Sequence, residues 1–165
     1  MATTRGTIEE RLQRLEDIEE IRQLKARYCD RCDDNYDPDG IAELYTVDAV
    51  WDGGNTFGVR EGREAIRSHF QAASRRVTIA RHQVMNPIID VDGDEATGQW
   101  LLFQPCTDSG ADSAMWLAAT YYDRYRRVDG NWLISHTMID VKFFSRFDKG
   151  WAVEQFLPGR EPKAK

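Results

Sequence analysis

Two Asp-Gly turns divide the second half of the sequence into long runs of strand-forming residues. They lie at Asp92-Gly93 and Asp129-Gly130. Asp-Gly between such runs is among the strongest short-range signals of a β-hairpin. The sequence therefore predicts consecutive antiparallel strands from residue 77 onward. The predicted strands are 77–91, 96–106, 114–128 and 132–144.

Helix-period patterns dominate the first half of the chain. The apolar residues of 7–36 recur every three or four positions, as in an amphipathic helix. Thr7 and Glu10 have the spacing of a capping box, which predicts Thr7 as the helix N-cap. A second helix is predicted over 61–74, and "IAELYT" is typical of a short one.

The apolar stripe of the first helix turns steadily around the helix axis. At about 100° per residue, the segment from Ile8 to Leu15 faces a different direction from the segment between Ile18 and Cys32. We expect the early segment to pack on something other than the main sheet, and a partner subunit is a candidate.

Helices followed by antiparallel strands are typical of an α+β domain with its helices packed on one face of the sheet. A strongly curved sheet with helices across its concave face leaves a pocket between the layers, where small molecules commonly bind. The sequence contains no repeat, linker or low-complexity tract, so 1–165 is predicted to form one domain. A chain of this length buries roughly 70% of its unfolded surface, enough for a core and an internal pocket.

The charge balance narrows the choice of partners. The formal net charge is −6, in a chain that is 41% hydrophobic. An acidic protein is poorly suited to nucleic acid or to an anionic membrane surface. No apolar stretch approaches the ~18 residues of a transmembrane helix, and the N-terminal residues lack the apolar core of a signal peptide. We therefore expect a cytoplasmic protein with neither nucleic acid nor membrane as partner.

Cys29 and Cys32 form a C-x-x-C pattern, which occurs in redox and zinc sites. Redox pairs lie at a helix N-terminus, where the thiolate is stabilised, whereas this pair lies near the C-terminal end of a helical pattern. A zinc site needs two further ligands, and the sequence has no second C-x-x-C. We expect both cysteines to pack as small buried residues, and the sequence implies neither a metal nor a cofactor.

Tyr28 and Asp33 are candidates for a functional pair. Tyr28 lies on the apolar stripe, so its ring should point inward and its hydroxyl should need a partner. Asp33 lies about 7.5 Å further along the helix and about 140° round it, on a neighbouring face. The two side chains can meet at a ligand if the helix ends near Asp33, which Pro38 favours. A core tyrosine and a solvated aspartate fit the sequence equally well.

Histidine is the natural general base near neutral pH, and the chain has only three. His69, on the predicted second helix, is expected at the boundary of the core. His82 enters a strand among apolar residues. His136 lies mid-strand, where strict alternation puts it on the face of Ile134 and Met138. His82 and His136 are candidate bases, although strand histidines also serve as core or rim residues.

Three segments of the sequence resemble the SnoaL-like proteins of the nuclear transport factor 2-like superfamily. They are "IEEIRQLKARYCDRCDD", "RHQVMNPIIDVDGDEATGQW" and "YYDRYRRVDGNWLI". The chain looks most similar to the bile acid 7α-dehydratase type and more distantly to scytalone dehydratase and lindane dehydrochlorinase. The resemblance covers about 14–144, between an N-terminal helical extension and a C-terminal tail. It implies a cone-shaped α+β fold around a hydrophobic cavity, cofactor-free chemistry, and a homodimer or homotrimer.

The resemblance also implies roles for particular residues. Dehydratases of this kind use a tyrosine and an aspartate on the first long helix and a histidine on a following strand. Tyr28, Asp33 and His82 match them, with a small shift in the strand near Pro87. A polar acid or histidine is expected on the next strand, where this chain has Gln104, which cannot transfer a proton.

The function expected from this set is a cofactor-independent dehydratase or isomerase acting on a small hydrophobic cyclic molecule, such as a steroid or polyketide. His82, oriented by Asp33, would remove a proton next to a carbonyl, and Tyr28 would donate a hydrogen bond to the oxygen that gains charge. The residues expected to line the pocket are Tyr45, Trp51, Trp100, Gln104, His136 and Met138.

Two alternatives stay open. The fold also serves as a non-catalytic ligand-binding or assembly module, such as a small subunit of ring-hydroxylating oxygenases. The stripe Ile8–Leu15 and the apolar C-terminal segment, with Trp151, Val153, Phe156 and Leu157, would then be the interaction surfaces. A reaction of the ketosteroid-isomerase or epoxide-hydrolase type would use the same pocket with different roles. Convergence of Tyr28, Asp33 and His82 on a cavity favours an enzyme, whereas a filled core at that point favours the module.

Overall fold

The computed structural model describes residues 6–109 and 113–161. Residues 1–5, 110–112 and 162–165, which the sequence assigns to the same domain, lie outside the described residues. The helices are α1 (Ile8–Asp33), α2 (Pro38–Glu43), α3 (Gly54–Phe57) and α4 (Arg63–Ala73). The strands are β1 (Tyr45–Asp52), β2 (Val59–Glu61), β3 (Val77–Ala80), β4 (Gln83–Asp92), β5 (Glu95–Asp108), β6 (Ser113–Val128) and β7 (Asn131–Arg146). No helix in these ranges is long and apolar enough to cross a membrane.

Helix α1 begins at the predicted cap. Thr7 Oγ1 accepts a hydrogen bond from the Glu10 backbone N–H at 3.2 Å, and the Glu10 carboxylate accepts one from the Thr7 N–H at 2.8 Å. The capping box is therefore confirmed. The helix is continuous to Asp33 and is followed by Asn35 and Tyr36, whose φ angles are +54° and +52°. Two adjacent non-glycine residues in this region cost energy, which the contacts of the turn must offset.

The first two turns of α1 extend beyond the main core. Ile8, Leu12 and Leu15 are 56–65% exposed, whereas Ile21, Leu24 and Tyr28 of the same helix are buried. The stripe thus changes direction as its rotation predicts. A partner subunit over the early segment stays a prediction.

Seven strands form one curled sheet in the order β2-β1-β7-β6-β5-β3, with β4 paired to a second stretch of β5. The described strand pairs are antiparallel except β1 with β7, which are parallel. The two Asp-Gly turns join β4 to β5 and β6 to β7, as predicted. Apolar residues of α1 and α4 share one buried cluster with the inward-facing residues of the sheet. The predicted α+β architecture is therefore confirmed.

The predicted strand over 77–91 is interrupted at Arg81 and His82, which belong to neither β3 nor β4. Arg81 lies opposite Pro105 of β5, which has no N–H to donate to the ladder. The Arg81 N–H still bonds to the Pro105 carbonyl at 3.1 Å. The His82 N–H bonds to Asp33 instead of a strand. The residue that the sequence predicts as a base is thus held by the end of α1 and not by a neighbouring strand.

Strand β4 is irregular near Pro87. Its register with β5 changes between Met85 and Ile88, and Asn86 has a φ angle of +53°. Such a bulge inserts an extra residue into one strand of a pair and bends that strand locally.

A bulge in β7 makes the prediction for the face of His136 wrong. Ile134 and His136 pair with adjacent residues of β6, so Ser135 is an extra residue in β7. Ile134 is buried before the bulge and Thr137 is buried after it. His136 and Met138 therefore lie on the outer face of the sheet, on the opposite side from Ile134.

A buried ion pair joins α1 to β6 beneath the inner face of the sheet. Lys25 Nζ lies 2.8 Å from Asp123 Oδ2, and neither side chain is exposed. The Tyr125 hydroxyl donates to the same Asp123 oxygen at 2.9 Å and accepts from Trp100 Nε1 at 3.0 Å. Removing one member of a buried pair leaves the other charge without compensation.

We expect Asp123→Asn to lower the free energy of unfolding by about 3–5 kcal/mol, because the Lys25 ammonium stays buried without its counter-ion. The double variant Lys25→Met/Asp123→Leu should recover most of that loss, since it removes both charges. Arg14→Gln is a control for an exposed pair, and should cost less than about 1 kcal/mol. Urea unfolding measures all three. Equal losses in the single and double variants would contradict this assignment.

Candidate active site

A cavity of about 310 Å³ lies between the helices and the inner face of the sheet. This volume is at the lower end of the range for small-molecule sites. The aromatic residues in its wall are Tyr28, Tyr36, Trp51, Phe57, Phe70, Tyr121 and Phe144. The polar and charged side chains in the wall are His69, His82, Gln104, Asp108, Arg60, Arg76 and Arg160. An apolar enclosure with a few polar groups is therefore available to a small ligand.

His82 of this wall, from the break between β3 and β4, contacts Asp33 in the last turn of α1. His82 Nδ1 lies 2.7 Å from Asp33 Oδ1, and the His82 backbone N–H donates to both carboxylate oxygens at 2.9 and 3.2 Å. A carboxylate only accepts, so Nδ1 carries the hydrogen, and Nε2 of the neutral ring keeps its lone pair. The geometry is that of a base and the group that orients it.

The imidazole of His82 is held neutral at physiological pH. Its side chain is only 4% exposed. Burial lowers the pKa of His82 below the usual 6.5, against the opposing effects of the hydrogen bond and charge of Asp33. A neutral ring with a free Nε2 is the form that can accept a proton.

Tyr28 also lies in the cavity wall, with its ring centroid 6.5 Å from that of His82. The ring makes an edge contact with Tyr121 at 6.2 Å, and Lys25 Nζ lies 4.8 Å from the Tyr28 centroid and 3.4 Å from that of Tyr121. Burial raises the pKa of both phenols well above the usual value. Tyr28 and Tyr121 are therefore protonated phenols, and the buried ion pair fixes their rings.

Tyr36 is a second phenol close to His82, with ring centroids 5.8 Å apart. The Gln104 amide donates to the Tyr36 hydroxyl oxygen at 3.3 Å. A hydroxyl that accepts from an amide can still donate its own hydrogen. Burial raises the pKa of Tyr36 well above the usual value. Gln104 thus holds a phenol at the position where the resemblance implies an acid.

The other residues predicted to line the pocket divide into two groups. Trp51 is in the wall, where its ring lies 4.5 Å from that of His69. Tyr45 is fully buried behind Tyr28, and its hydroxyl pairs with Thr137 Oγ1 at 3.2 Å. Neither Tyr45 nor Trp100 is among the residues of this cavity wall.

His136 and Met138 are likewise not in the wall, because the bulge in β7 turns them to the outer face of the sheet. His136 therefore does not lie beside the dyad formed by Asp33 and His82, and does not take the place of the acid or histidine that the resemblance implies at position 104. Tyr36 stands there instead.

Cys29 and Cys32 are free, buried thiols. Burial raises the pKa of the Cys29 thiol to about 11 and that of Cys32 well above its usual value. Both are therefore protonated packing residues, as the sequence predicts. In the described ranges, no group of three or more His, Cys, Asp or Glu side chains is placed to hold a metal ion.

Several wall residues have no clear signal in the sequence. Tyr36 lies in "DNYDPDG", which is typical of a turn, and reaches the cavity only because the left-handed backbone of the turn directs it there. Lys25, which supports the wall without lining it, did have a signal, since it follows Ile21 by four positions and precedes Tyr28 by three, which puts a charge on the buried stripe. The arginines of the wall come from segments without periodicity.

His69 generates a prediction about acid stability. Burial first, and the charge of Arg60 second, lower the pKa of His69 to about 4. The unfolded chain binds this proton at about pH 6.5, so stability is lost as pH falls from 6.5 towards 4. We expect His69→Gln to lose less unfolding free energy between pH 7 and pH 5 than the wild type. The difference should be below about 1.4 kcal/mol per pH unit, because the ring is partly exposed. Urea unfolding at the two pH values checks this, and an unchanged acid loss would contradict it.

Comparison with known proteins places the chain in a family. The family model of the SnoaL-like domain matches residues 13–138. A hexachlorocyclohexane dehydrochlorinase (LinA, type 2) superposes with a TM-score of 0.76 at 20% identity, over 82% of this chain and 92% of that chain. A protein from Novosphingobium aromaticivorans, provisionally assigned as a scytalone dehydratase, superposes with a TM-score of 0.74 at 20% identity. The superposition covers 81% of this chain and 89% of that chain. A variant of a protein of unknown function from Mycobacterium tuberculosis superposes with a TM-score of 0.71 at 27% identity. The superposition covers 86% of this chain and 79% of that chain.

The likeness to the dehydrochlorinase and to the protein from Novosphingobium shows the fold, and the family model spans well over half of the sequence. On that match, and on the curled sheet and helices described above, the chain belongs to the SnoaL-like domain family of the nuclear transport factor 2-like superfamily.

Proposed function

We propose that the protein is a cofactor-independent dehydratase-type lyase or an isomerase, acting on a hydrophobic cyclic molecule with a carbonyl group. The observation that carries the proposal is the 2.7 Å contact between His82 Nδ1 and Asp33 at the cavity wall. It leaves Nε2 of a neutral imidazole as a base inside an apolar enclosure. The names of two neighbours of similar fold, a dehydrochlorinase and a provisionally assigned dehydratase, are those of elimination enzymes.

The first step is removal of a proton from the carbon next to the carbonyl. His82 Nε2 takes the proton, and the electron pair of the C–H bond moves to the carbonyl oxygen. Asp33 stabilises the imidazolium that forms. Tyr28 donates a hydrogen bond to the oxygen that becomes negative. A positioned base contributes about 10²–10⁴ in rate, and a donor to the oxyanion about 10²–10³ more.

The second step expels a hydroxyl group from the β-carbon. The enolate electrons return to form the carbon–carbon double bond, the C–O bond breaks, and Tyr36 gives its proton to the departing oxygen, which leaves as water. The phenolate of Tyr36 then recovers a proton from the imidazolium of His82, whose ring is 5.8 Å away. Substrate is thus converted to an enone and water, and both residues return to their starting states.

Gln104 supports this assignment of Tyr36. An amide cannot transfer a proton at neutral pH, but it can hold a phenol by donating to its oxygen. The 3.3 Å contact from Gln104 Nε2 to the Tyr36 oxygen leaves the phenol hydrogen free for the substrate. Without a leaving group on the substrate, the same base would catalyse an isomerisation by returning the proton to another carbon.

A non-catalytic binding module remains the competing proposal, and the cavity alone suits both. The pair of Asp33 and His82 favours the enzyme, because a pure binding pocket has no need of a base oriented by a carboxylate.

We also propose a homodimer or homotrimer with the early segment of α1 in its interface, since Ile8, Leu12 and Leu15 are more than half exposed.

The assay that separates the two proposals is exchange of C–H for C–D next to the carbonyl of bicyclic and steroid ketones in D₂O, followed by NMR. We expect wild-type protein to catalyse the exchange. Asp33→Asn and His82→Gln should each reduce it by about 10²-fold or more, because each removes part of the base. His136→Gln is the matched control, since His136 faces away from the cavity, and it should retain full activity. Exchange at wild-type rates in Asp33→Asn or His82→Gln would exclude this dyad as the base, and absence of exchange in the wild type across the panel would favour the module.

With a β-hydroxy ketone as substrate, variants of Tyr28 and Tyr36 should affect different steps of the reaction. Tyr28→Phe should slow both deuterium exchange and loss of water, because it weakens stabilisation of the enolate. Tyr36→Phe should slow loss of water by about tenfold or more while leaving exchange near the wild-type rate, since its proton is needed only for the leaving group. Exchange followed by NMR and enone formation followed by absorbance give the two rates. Equal loss of both rates in Tyr36→Phe would show that Tyr36 has another role.

A further inference from the structure

Three arginines contribute to the cavity wall, and they differ in how their charges are compensated. Arg76 is bound by Asp108, with N–H···O distances of 2.8–3.1 Å, and Asp108 is itself a wall residue. That pair adds no net charge to the cavity. Arg60 and Arg160 form no salt bridge with any carboxylate in residues 6–109 and 113–161.

The hydrogen bonds of Arg60 and Arg160 are made to neutral groups. Arg60 donates to the carbonyls of Val59 at 2.6 Å and Phe57 at 3.5 Å. Arg160 donates to the Thr56 carbonyl, and Thr56 Oγ1 donates back to the Arg160 carbonyl at 3.0 Å. This clasp holds Arg160 against α3. Both guanidinium groups keep further N–H donors and an uncompensated positive charge.

The two arginines and the dyad lie at different ends of the aromatic wall. Arg60 and Arg160 contact α3, which ends at Phe57. The ring contacts form a series, from Phe57 to Trp51 at 6.4 Å, from Trp51 to Phe70 at 5.8 Å, and from Phe70 to Tyr36 at 5.9 Å. Tyr36 contacts His82. The wall between the arginines and the base is therefore lined by aromatic rings, which suits a flat apolar ligand.

The arginine end carries positive charge in a chain whose net charge is −6. His69, beside Trp51, is neutral at pH 7 and contributes no charge of its own. Half-buried guanidinium groups bind carboxylates through charge-assisted hydrogen bonds, which are about twice as strong as neutral ones. Two uncompensated cations in the wall of a small cavity in an acidic protein therefore favour an anionic ligand.

We propose that Arg60 and Arg160 form a subsite for a carboxylate carried by the substrate, at the end of the cavity away from His82. The substrate class is then a cyclic carboxylic acid whose ring system occupies the aromatic wall and whose reacting carbon reaches His82. This inference rests on the proposed function for the reaction at the far end, but the subsite itself concerns binding alone.

The test compares 4-(1-naphthyl)butanoate with 4-(1-naphthyl)butan-1-ol, which have similar shapes and differ in charge. We expect the acid to bind at least ~10-fold more tightly by calorimetry, as a charge-assisted contact in a half-buried site allows. Arg60→Gln and Arg160→Gln should each reduce this ratio, and the double variant should abolish it. Affinity for the alcohol should stay unchanged in all of them, which also shows that the variants are folded.

Arg75→Gln is the matched control, because it removes the same charge from an exposed position outside the cavity wall. It should leave the ratio at the wild-type value. Binding of the acid should also raise the pKa of His69 in an NMR titration, since a carboxylate beside Arg60 offsets the charge that lowers it. Equal affinity for the two ligands, no binding of the acid, or a preference that survives in the double variant would overturn the subsite.

Failure of the subsite and failure of the proposed function give different results. His82→Gln should keep the preference for the acid while losing deuterium exchange. If the wild type prefers the acid but catalyses no exchange, the proposed reaction falls and the subsite stands. If exchange occurs without any preference for the acid, the subsite falls and the reaction stands.

Discussion

The Asp33 carboxylate makes three contacts with one residue, and the arrangement of the site depends on them. It accepts from the backbone N–H of His82 at both oxygens and meets Nδ1 at 2.7 Å. One side chain therefore anchors the end of α1, binds the break between β3 and β4, and fixes the tautomer of the imidazole. The left-handed turn at Tyr36 follows directly, and the contacts around it offset its strain.

The Lys25–Asp123 pair supports this site from the side of the core. A fully buried pair adds little net stability, because desolvation offsets most of the attraction, but it is costly to break. The ammonium lies 3.4 Å from the centroid of Tyr121 and 4.8 Å from that of Tyr28. Both rings are in the cavity wall. Because moving Lys25 would leave the Asp123 charge buried without its counter-ion, the ion pair also fixes the positions of these two phenols.

Periodicity and turn chemistry were sufficient to predict α1, its cap, the hairpins and the α+β class, because each depends on local sequence. Asp33 and His82 were identified by residue type and by resemblance, and only the tertiary structure gives their 2.7 Å contact. His136 was misplaced because the extra residue at Ser135 reverses the alternation and leaves no mark in the sequence. Arg160 was not found because its place depends on a clasp with Thr56, more than a hundred positions earlier.

The two proposals account together for Gln104. A carboxylic acid at that position would sit buried beside Tyr36, near Asp33, and would add negative charge to a pocket that receives an anion. A phenol held by an amide supplies a proton without that charge, so Asp33 stays the one carboxylate of the acid–base group at that end. The carboxylate subsite then provides binding energy far from the reacting bonds, which orients the ring without stabilising the ground state at the base. In these two proposals, the arginines at one end of the aromatic cavity select the ligand, and Asp33 and His82 at the other end move its proton.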